Sequence, residues 1–229
     1  MVHATDKEEA FFFANIRNMV STARQQNYTK FSSFLNDRQQ FLAQQILHDE
    51  HCGSYIFDGG YTEAQRKILG VYPDFLEPEQ VAFPVEYLEF SYRNVYQLTH
   101  RDFLGALMSL QLKREIVGDI IVDTGKTIIV VSDVIAEHII NSIRKIGKVG
   151  VTVQKTNAAI LTRENRFEEL MGTVSSLRVD TIAAFITKLS RSKTVGLIQA
   201  GKISVNYREA ISPGEQVKPD DIVTIRGFG

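Results

Sequence analysis

The sequence has one cysteine, Cys52, no tryptophan and five prolines among its 229 residues. One thiol excludes an intramolecular disulfide and any zinc site built on several thiolates. No N-terminal stretch combines a basic region, an apolar run and a small-residue cleavage site, so no secretory leader is expected. A long apolar run is missing too. The richest stretch, residues 116–140, is interrupted by Asp119, Asp123, Lys126, Asp133 and Glu137, too many charges for a bilayer-spanning helix. A soluble, cytoplasmic protein with no membrane partner is expected.

The chain also lacks an excess of either charge, with a formal net charge of −1. The charges are nevertheless unevenly spread. Residues 1–80 carry 7 basic and 11 acidic side chains, residues 81–172 carry 11 of each, and residues 173–229 carry 8 basic and 5 acidic. Between positions 187 and 208 there are five cations (Lys188, Arg191, Lys193, Lys202 and Arg208) and no Asp or Glu. A cationic window without carboxylates is the electrostatic footprint expected for a phosphate backbone.

With 44% hydrophobic residues the chain can bury real cores, and its length allows one large domain or two to three small ones. Phe12, Ile16, Met19, Val20 and Ala23 recur at helical spacing, and Phe34, Leu35, Phe41, Leu42 and Ile46 follow, so residues 6–50 read as helix. Residues 54–57 read as a strand, Asp58-Gly59-Gly60 as a turn, and 67–72 as a further extended or helical piece. Pro73, Pro78 and Pro84 mark a boundary near residue 80. The first domain, 1–80, is therefore expected to be α-rich.

A second domain, 81–168, alternates. Residues 85–92 read as a strand, and Thr99 caps a helix to about residue 112, with Asp102 near its positive end. Strands follow at 119–123 and 127–131 around a turn at Asp123-Thr124-Gly125-Lys126. A helix from Asp133 to about residue 146 carries Ile135, Ile139, Ile143 and Ile146 on one face, and Val149 to Val153 begins a last strand. The order β-α-β-β-α-β is that of the ferredoxin-like, RRM-like split motif. The third domain, 173–229, reads as helices at 178–189 and 192–200, then strands at 202–206 and 221–226, with Pro213-Gly214 as a turn. The expected fold class is α+β, multidomain.

Ser190 stands at an N-cap position, which would let Arg191 and Lys193 project from the first turn beside unpaired backbone N–H groups. Gly201 suits a left-handed helix end and leads into a strand carrying Lys202, Asn206 and Arg208. Arginine can grip a phosphate or a base edge with two donors, and Asn can serve a sugar hydroxyl or a backbone oxygen.

This pattern resembles the RNA-binding domain named after ribosomal protein S-four. The matching positions are Arg178 and Asp180, Ser190-Arg191-Ser192-Lys193, Leu197-Ile198, Gly201-Lys202, Val205-Asn206, and Val217-Lys218-Pro219 before Asp221. Asn206-Tyr207 replaces the usual Asn-Gly, and Asp220-Asp221 the usual Gly-Asp. Upstream, Phe57-Asp58-Gly59-Gly60-Tyr61, Glu63-Ala64-Gln65-Arg66-Lys67, His100-Arg101-Asp102-Phe103-Leu104-Gly105-Ala106-Leu107, Lys113-Arg114-Glu115 and Gly118-Asp119 resemble the bacterial YlmH family. Gln65 stands where that family usually has an acid, and the basic strand that usually follows Arg226-Gly227 is absent from this sequence.

The resemblance implies a non-catalytic RNA-binding protein on the large ribosomal subunit, with rRNA and tRNA as partners. It also implies a role in quality control or rescue of stalled translation, a gene context in cell division, and a monomer off the ribosome. The implied RNA contacts are Arg178, Ser190, Arg191, Lys193, Lys202, Asn206, Arg208 and Lys218, with Asp180 orienting Arg178. Two competing classes are an RNA-modifying enzyme of the pseudouridine synthase kind and a division-linked protein scaffold.

Other motifs carry less. His100-Arg101-Asp102 lacks the companion elements of a kinase loop, and Gly125-Lys126-Thr127 lacks the first glycine of a phosphate loop, since position 120 is Ile. His48, His51 and Cys52 offer three ligands without a fourth, so no metal is expected, and no cofactor. Residues 127–131 contain no aromatic on which a base could stack, and Tyr87, Phe90, Tyr92 and Tyr96 read as core and edge residues. Lys113, Arg114, Lys145 and Lys148 fit solvated helix ends and an extended basic surface equally well.

Overall fold

In the computed structural model, which describes residues 7–157 and 168–228, helix α1 (Lys7–Gln26) buries Phe13, Ile16, Val20 and Ala23 along one stripe. Asn27, with φ 55°, turns the chain out of the helix into strand β1 (Lys30–Leu35). This strand interrupts the helix expected over 6–50. The helical spacing of Phe31, Phe34 and Leu35 is produced by a β-bulge. β1 pairs antiparallel with β3 (Lys67–Val71), with Phe31 opposite Gly70 and Phe34 opposite Ile68, so β1 holds one extra residue between them. Both rings then lie on one face of the sheet while Leu35 enters the other core.

Helix α2 (Asp37–Asp49) starts at a reciprocal cap: Gln39 N donates to Asn36 Oδ1 (2.9 Å) and Asn36 N donates to Gln39 Oε1 (3.0 Å). With β2 (Tyr55–Asp58) the first sheet has the order β1-β3-β2, and α1 and α2 cover it through Leu42, Ala43, Ile46, Leu47, Leu69 and Val71. The first 80 residues thus hold a three-stranded sheet beside two helices.

The next segment supplies β4 (Val85–Ser91), α3 (His100–Ser109), β5 (Val117–Asp123), β6 (Lys126–Ser132) and α4 (Asp133–Ser142). After these come a two-residue-strand hairpin, β7 (Lys145–Ile146) and β8 (Val149–Gly150), and then β9 (Thr152–Thr156). The sheet order is β5-β6-β4-β9, all neighbours antiparallel. Asp102 Oδ2 accepts from Thr99 N (2.8 Å) at the start of α3. On one face Leu88, Phe90, Ile129 and Val131 pack against Phe103, Leu107, Ala136 and Ile139 from α3 and α4. Helix α4 ends four residues earlier than its isoleucine spacing predicts. Ile143 and Ile146 still enter the core, from the helix end and from the hairpin, so the apolar period outlives the helix. The expected end of this domain, beyond residue 157, lies outside the described residues.

The opposite face of the second sheet is covered as well. Val130, Val85 and Tyr87 meet Phe31, Phe34, Ile68, Tyr61 and Phe83. A buried carboxylate clasps the two sheets. Asp119, 6% exposed on β5, accepts from Tyr61 Oη (2.7 Å), Gln65 N (2.7 Å) and Arg66 N (3.1 Å). Arg66 in turn donates to the carbonyls of Val117 (3.1 Å) and Phe34 (2.8 Å), and Arg114 to that of Gly118 (3.0 Å). Burial, and the neighbouring Arg66, hold the Arg114 guanidinium down at about 10. The loop can turn this tightly because a Cβ at Gly59 would collide with Ala64 and the Arg66 carbonyl. The YlmH-like segments around Gly59, Arg66, Arg114 and Asp119 therefore build this clasp.

The chain divides into two compact units, residues 1–165 and 166–229. In the second, α5 (Val179–Thr187) and α6 (Arg191–Gln199) pack on a sheet of order β11-β10-β12, formed by β10 (Ile203–Val205), β11 (Arg208–Glu209) and β12 (Val223–Ile225). Its core is Val179, Ala183, Ile198, Ile203, Val205, Ala210, Val217 and Ile225.

Replacing the buried Asp119 by Ala leaves three partly buried donors without their acceptor and is expected to destabilise the first unit by about 3 kcal/mol. Tyr61→Phe, which removes one of the three, should remove only about 1 kcal/mol. Urea unfolding monitored on the first unit checks this; equal midpoints for wild type and Asp119→Ala would contradict the clasp.

Candidate nucleic-acid interface

The second unit gathers two of its arginines around one carboxylate. Arg178 is the residue before α5, and Asp180 lies in the first turn of that helix, with a side chain only 2% exposed. Arg178 grips Asp180 with two prongs, Nε to Oδ1 at 3.1 Å and Nη2 to Oδ2 at 3.2 Å. Arg191, the first residue of α6, donates from Nε to Asp180 Oδ2 at 2.8 Å. Thr194 Oγ1 shares its proton between the Arg191 carbonyl (2.8 Å) and the Asp180 backbone carbonyl (3.2 Å). One acidic residue therefore staples the two helix starts and fixes both guanidinium groups. The side chains of Arg178 and Arg191 stay 37% and 58% exposed, so their outer edges face solvent.

Burial alone would raise the Asp180 carboxyl, but the hydrogen bonds from Arg178 and Arg191 outweigh it and hold the group at about 2. This corrects the picture of a carboxylate-free surface. The window 187–208 contains no acid in sequence, yet in space one of its arginines is paired with a carboxylate just upstream. The pairing leaves a net positive charge, since two guanidinium groups share one anion.

Ser190 occupies the N-cap position of α6, but its hydroxyl bonds to that of Ser192 (3.1 Å) and caps nothing. The first backbone bond of the helix runs from Thr194 N to Ser190 O (3.1 Å), so the N–H groups before it form the open, positive end of α6. Lys193 is exposed in this turn, and among the described residues it forms no ion pair.

Lys202 lies elsewhere, just before β10. It stands opposite Arg226, whose N–H donates to its carbonyl (2.8 Å), and both side chains are exposed on the face away from Ile203 and Ile225. Arg226 was not among the contacts that sequence reasoning named, which came from the acid-free window and the S-four-type motif; the backbone bond brings it beside Lys202. Arg208 is exposed on the edge strand β11, opposite Val205.

Asn206 serves the fold. Its Nδ2 donates to Asp221 Oδ1 (2.7 Å) and its Oδ1 accepts from Ile222 N (3.0 Å). It forms a two-residue hairpin turn with Tyr207, both at positive φ (48° and 65°), so the Asn-Gly turn geometry is kept without the glycine. Lys218 N donates to Asp221 Oδ2 (2.7 Å), leaving its side chain exposed, and its segment runs antiparallel beside Arg178. The predicted set thus divides: Arg178, Arg191 and Lys193 meet at the helix starts, Lys202 sits with Arg226 beside the sheet, and Asn206 is held internally.

Cys52 is buried in the first core, and burial pushes its thiol up. Among the described residues no group of three or more His, Cys, Asp or Glu could hold a metal, and no helix is long and apolar enough to cross a membrane.

Residues 78–159 match the family description “Putative RNA-binding domain in YlmH”. This places the chain in the class of multidomain α+β proteins carrying a domain of that kind. The chain is also 30% identical over 225 residues, covering 97% of its own length and 87% of the relative's, to the ribosome-associated protein quality control protein P2 of Bacillus subtilis (strain 168). It belongs to the YlmH family. Among solved structures, the cell division protein ylmH from Streptococcus pneumoniae shares the fold, with a TM-score of 0.58 at 20% identity, over 69% of this chain and 97% of that one.

Because the folded-state value of Asp180 is depressed from 3.8 to about 2, the staple contributes its full stability above about pH 4 and loses it as pH falls through about 2. Asp180→Asn should therefore destabilise the second unit at neutral pH, with a difference from wild type that shrinks below about pH 4. Thermal melts across pH test this, and a pH-independent difference would contradict it.

Proposed function

We propose that this chain is a non-catalytic RNA-binding protein of the ribosome, acting on the large subunit in quality control or rescue of stalled translation. The observation that carries the reading is the Asp180 staple, which holds two arginine edges beside the open start of α6 and next to Lys193. Guanidinium groups fixed in advance lose little freedom when they meet a phosphate, and the helix dipole adds to the attraction. We take the second unit as a module of the ribosomal protein S-four type, contacting structured rRNA and tRNA, and the middle sheet with α3 and α4 as a ferredoxin-like domain. The name of the Bacillus subtilis relative, which covers nearly this whole chain, supports the ribosomal setting.

Filter binding to bulk rRNA and tRNA across salt concentrations tests the reading. If about five phosphates are neutralised, log affinity should fall against log salt with a slope of about −3 to −5. Replacing Arg191 and Lys193 together by Ala should weaken binding to all RNA sequences and make that slope shallower by about 1–2. A flat salt response would favour a protein scaffold, and unchanged binding by the double variant would remove this face. Tritium release from rRNA labelled at uridine C5 should stay at background; turnover would make the protein a modifying enzyme.

A further inference from the structure

The matched RNA-binding domain contains a second cation-rich surface, away from its sheet. From His138 to Arg163 the sequence holds Arg144, Lys145, Lys148, Lys155 and Arg163 and no Asp or Glu. Of the described members, Lys155 is bound to Glu86 (3.4 Å) and Glu137 (3.1 Å). The other three sit on or beside the β7–β8 hairpin. Sequence reasoning left Lys145 and Lys148 open between solvated helix ends and an extended basic surface; α4 stops before them, and they flank a hairpin tip.

The sheet itself has little room for RNA. Base stacking needs exposed aromatic rings on the sheet, but one face is filled by α3 and α4 and the other by the N-terminal sheet across Val85, Tyr87 and Val130. The Tyr87 hydroxyl is committed to the Gly60 carbonyl. Next to that contact the face carries Glu89, paired with Lys126 at 2.9 Å, an acid where a phosphate would have to pass.

The hairpin offers the opposite conditions. Ile146 and Val149 pair across it and are buried, anchoring it to the core, while Lys145 and Lys148 are exposed. Gly147, at φ +58°, makes the turn, and a Cβ at Gly147 or Gly150 would meet no protein atom within 4 Å, so the backbone is open to close approach. Beside the hairpin lies a cavity of about 550 Å³, lined in part by Ser109, Leu110, Ser142, Arg144, Lys145 and Lys148. That volume suits a nucleotide-sized ligand. Arg144 donates to the carbonyls of Ile140 and Ile143, covering the negative end of α4 that would otherwise repel an anion.

We propose that the middle domain contacts RNA through this hairpin and not through its sheet: Lys145 and Lys148 take backbone phosphates, and the adjoining cavity takes a nucleoside. The inference rests on the RNA-binding reading above and assigns that reading a second site.

The test uses the full chain and bulk tRNA. Lys145→Ala with Lys148→Ala should lower affinity about tenfold at low salt and make the salt slope shallower by about 1–2. Both side chains are exposed, so the melting temperature should not change. The same pair placed in the Arg191→Ala, Lys193→Ala background should lower affinity further. Ultraviolet crosslinks to tRNA should map to the peptide spanning Lys145 and Lys148. Wild-type affinity and slope in the hairpin variant, or crosslinks confined to β4 and β6, would overturn the hairpin site while leaving the C-terminal face intact. If wild type itself fails to bind RNA, both readings fall together.

Discussion

The second unit depends on a buried carboxylate held between two arginines. Asp180 is inaccessible to solvent but not isolated, because Arg178 and Arg191 satisfy both of its oxygens. A buried anion of this kind is tolerated only when its partners are fixed and its hydrogen bonds complete. Under the proposed RNA-binding function, the same requirement serves recognition. The arginines that neutralise Asp180 cannot fold back onto the surface, and their free edges stay presented beside the start of α6.

The first unit uses a similar device for another end. Asp119 is also buried and satisfied by donors from distant residues, but its partners Tyr61, Gln65 and Arg66 belong to the loop between β2 and β3. It locks the N-terminal sheet over a face that an RNA-reading domain would need open. A family-typical segment thus becomes architectural, and its consequence is to move the available basic surface to the edge of the domain, where Lys145 and Lys148 stand.

How much of this was legible in the sequence depends on the range of the interactions. The α5–α6 pair, the β-α-β-β-α succession of elements in the middle segment and the basic character of 187–208 follow from local period and charge. Asp180 was legible as the partner of Arg178, two residues away; its bond to Arg191 spans eleven positions and left no trace in the pattern. The Asp119 bonds span more than fifty positions, and the residue sits in an apolar run that gives it no distinguishing context. Two local readings also failed for physical reasons. A β-bulge in β1 copied helical spacing, and the isoleucine period of α4 continued into a hairpin because both pieces bury into one core. Asn206 was named as a contact on the S-four resemblance and the hydrogen-bonding capacity of its amide; in the structure both ends of that amide are bound within the fold.

Deleting an anion from a basic surface should, by charge alone, strengthen its hold on a polyanion. If Asp180 works by positioning Arg178 and Arg191, its removal must do the reverse. The decisive measurement is the RNA affinity of Asp180→Ala, at a temperature where the variant remains folded, against wild type at the same salt. Weaker binding is predicted; tighter binding would show that the carboxylate merely dilutes the patch.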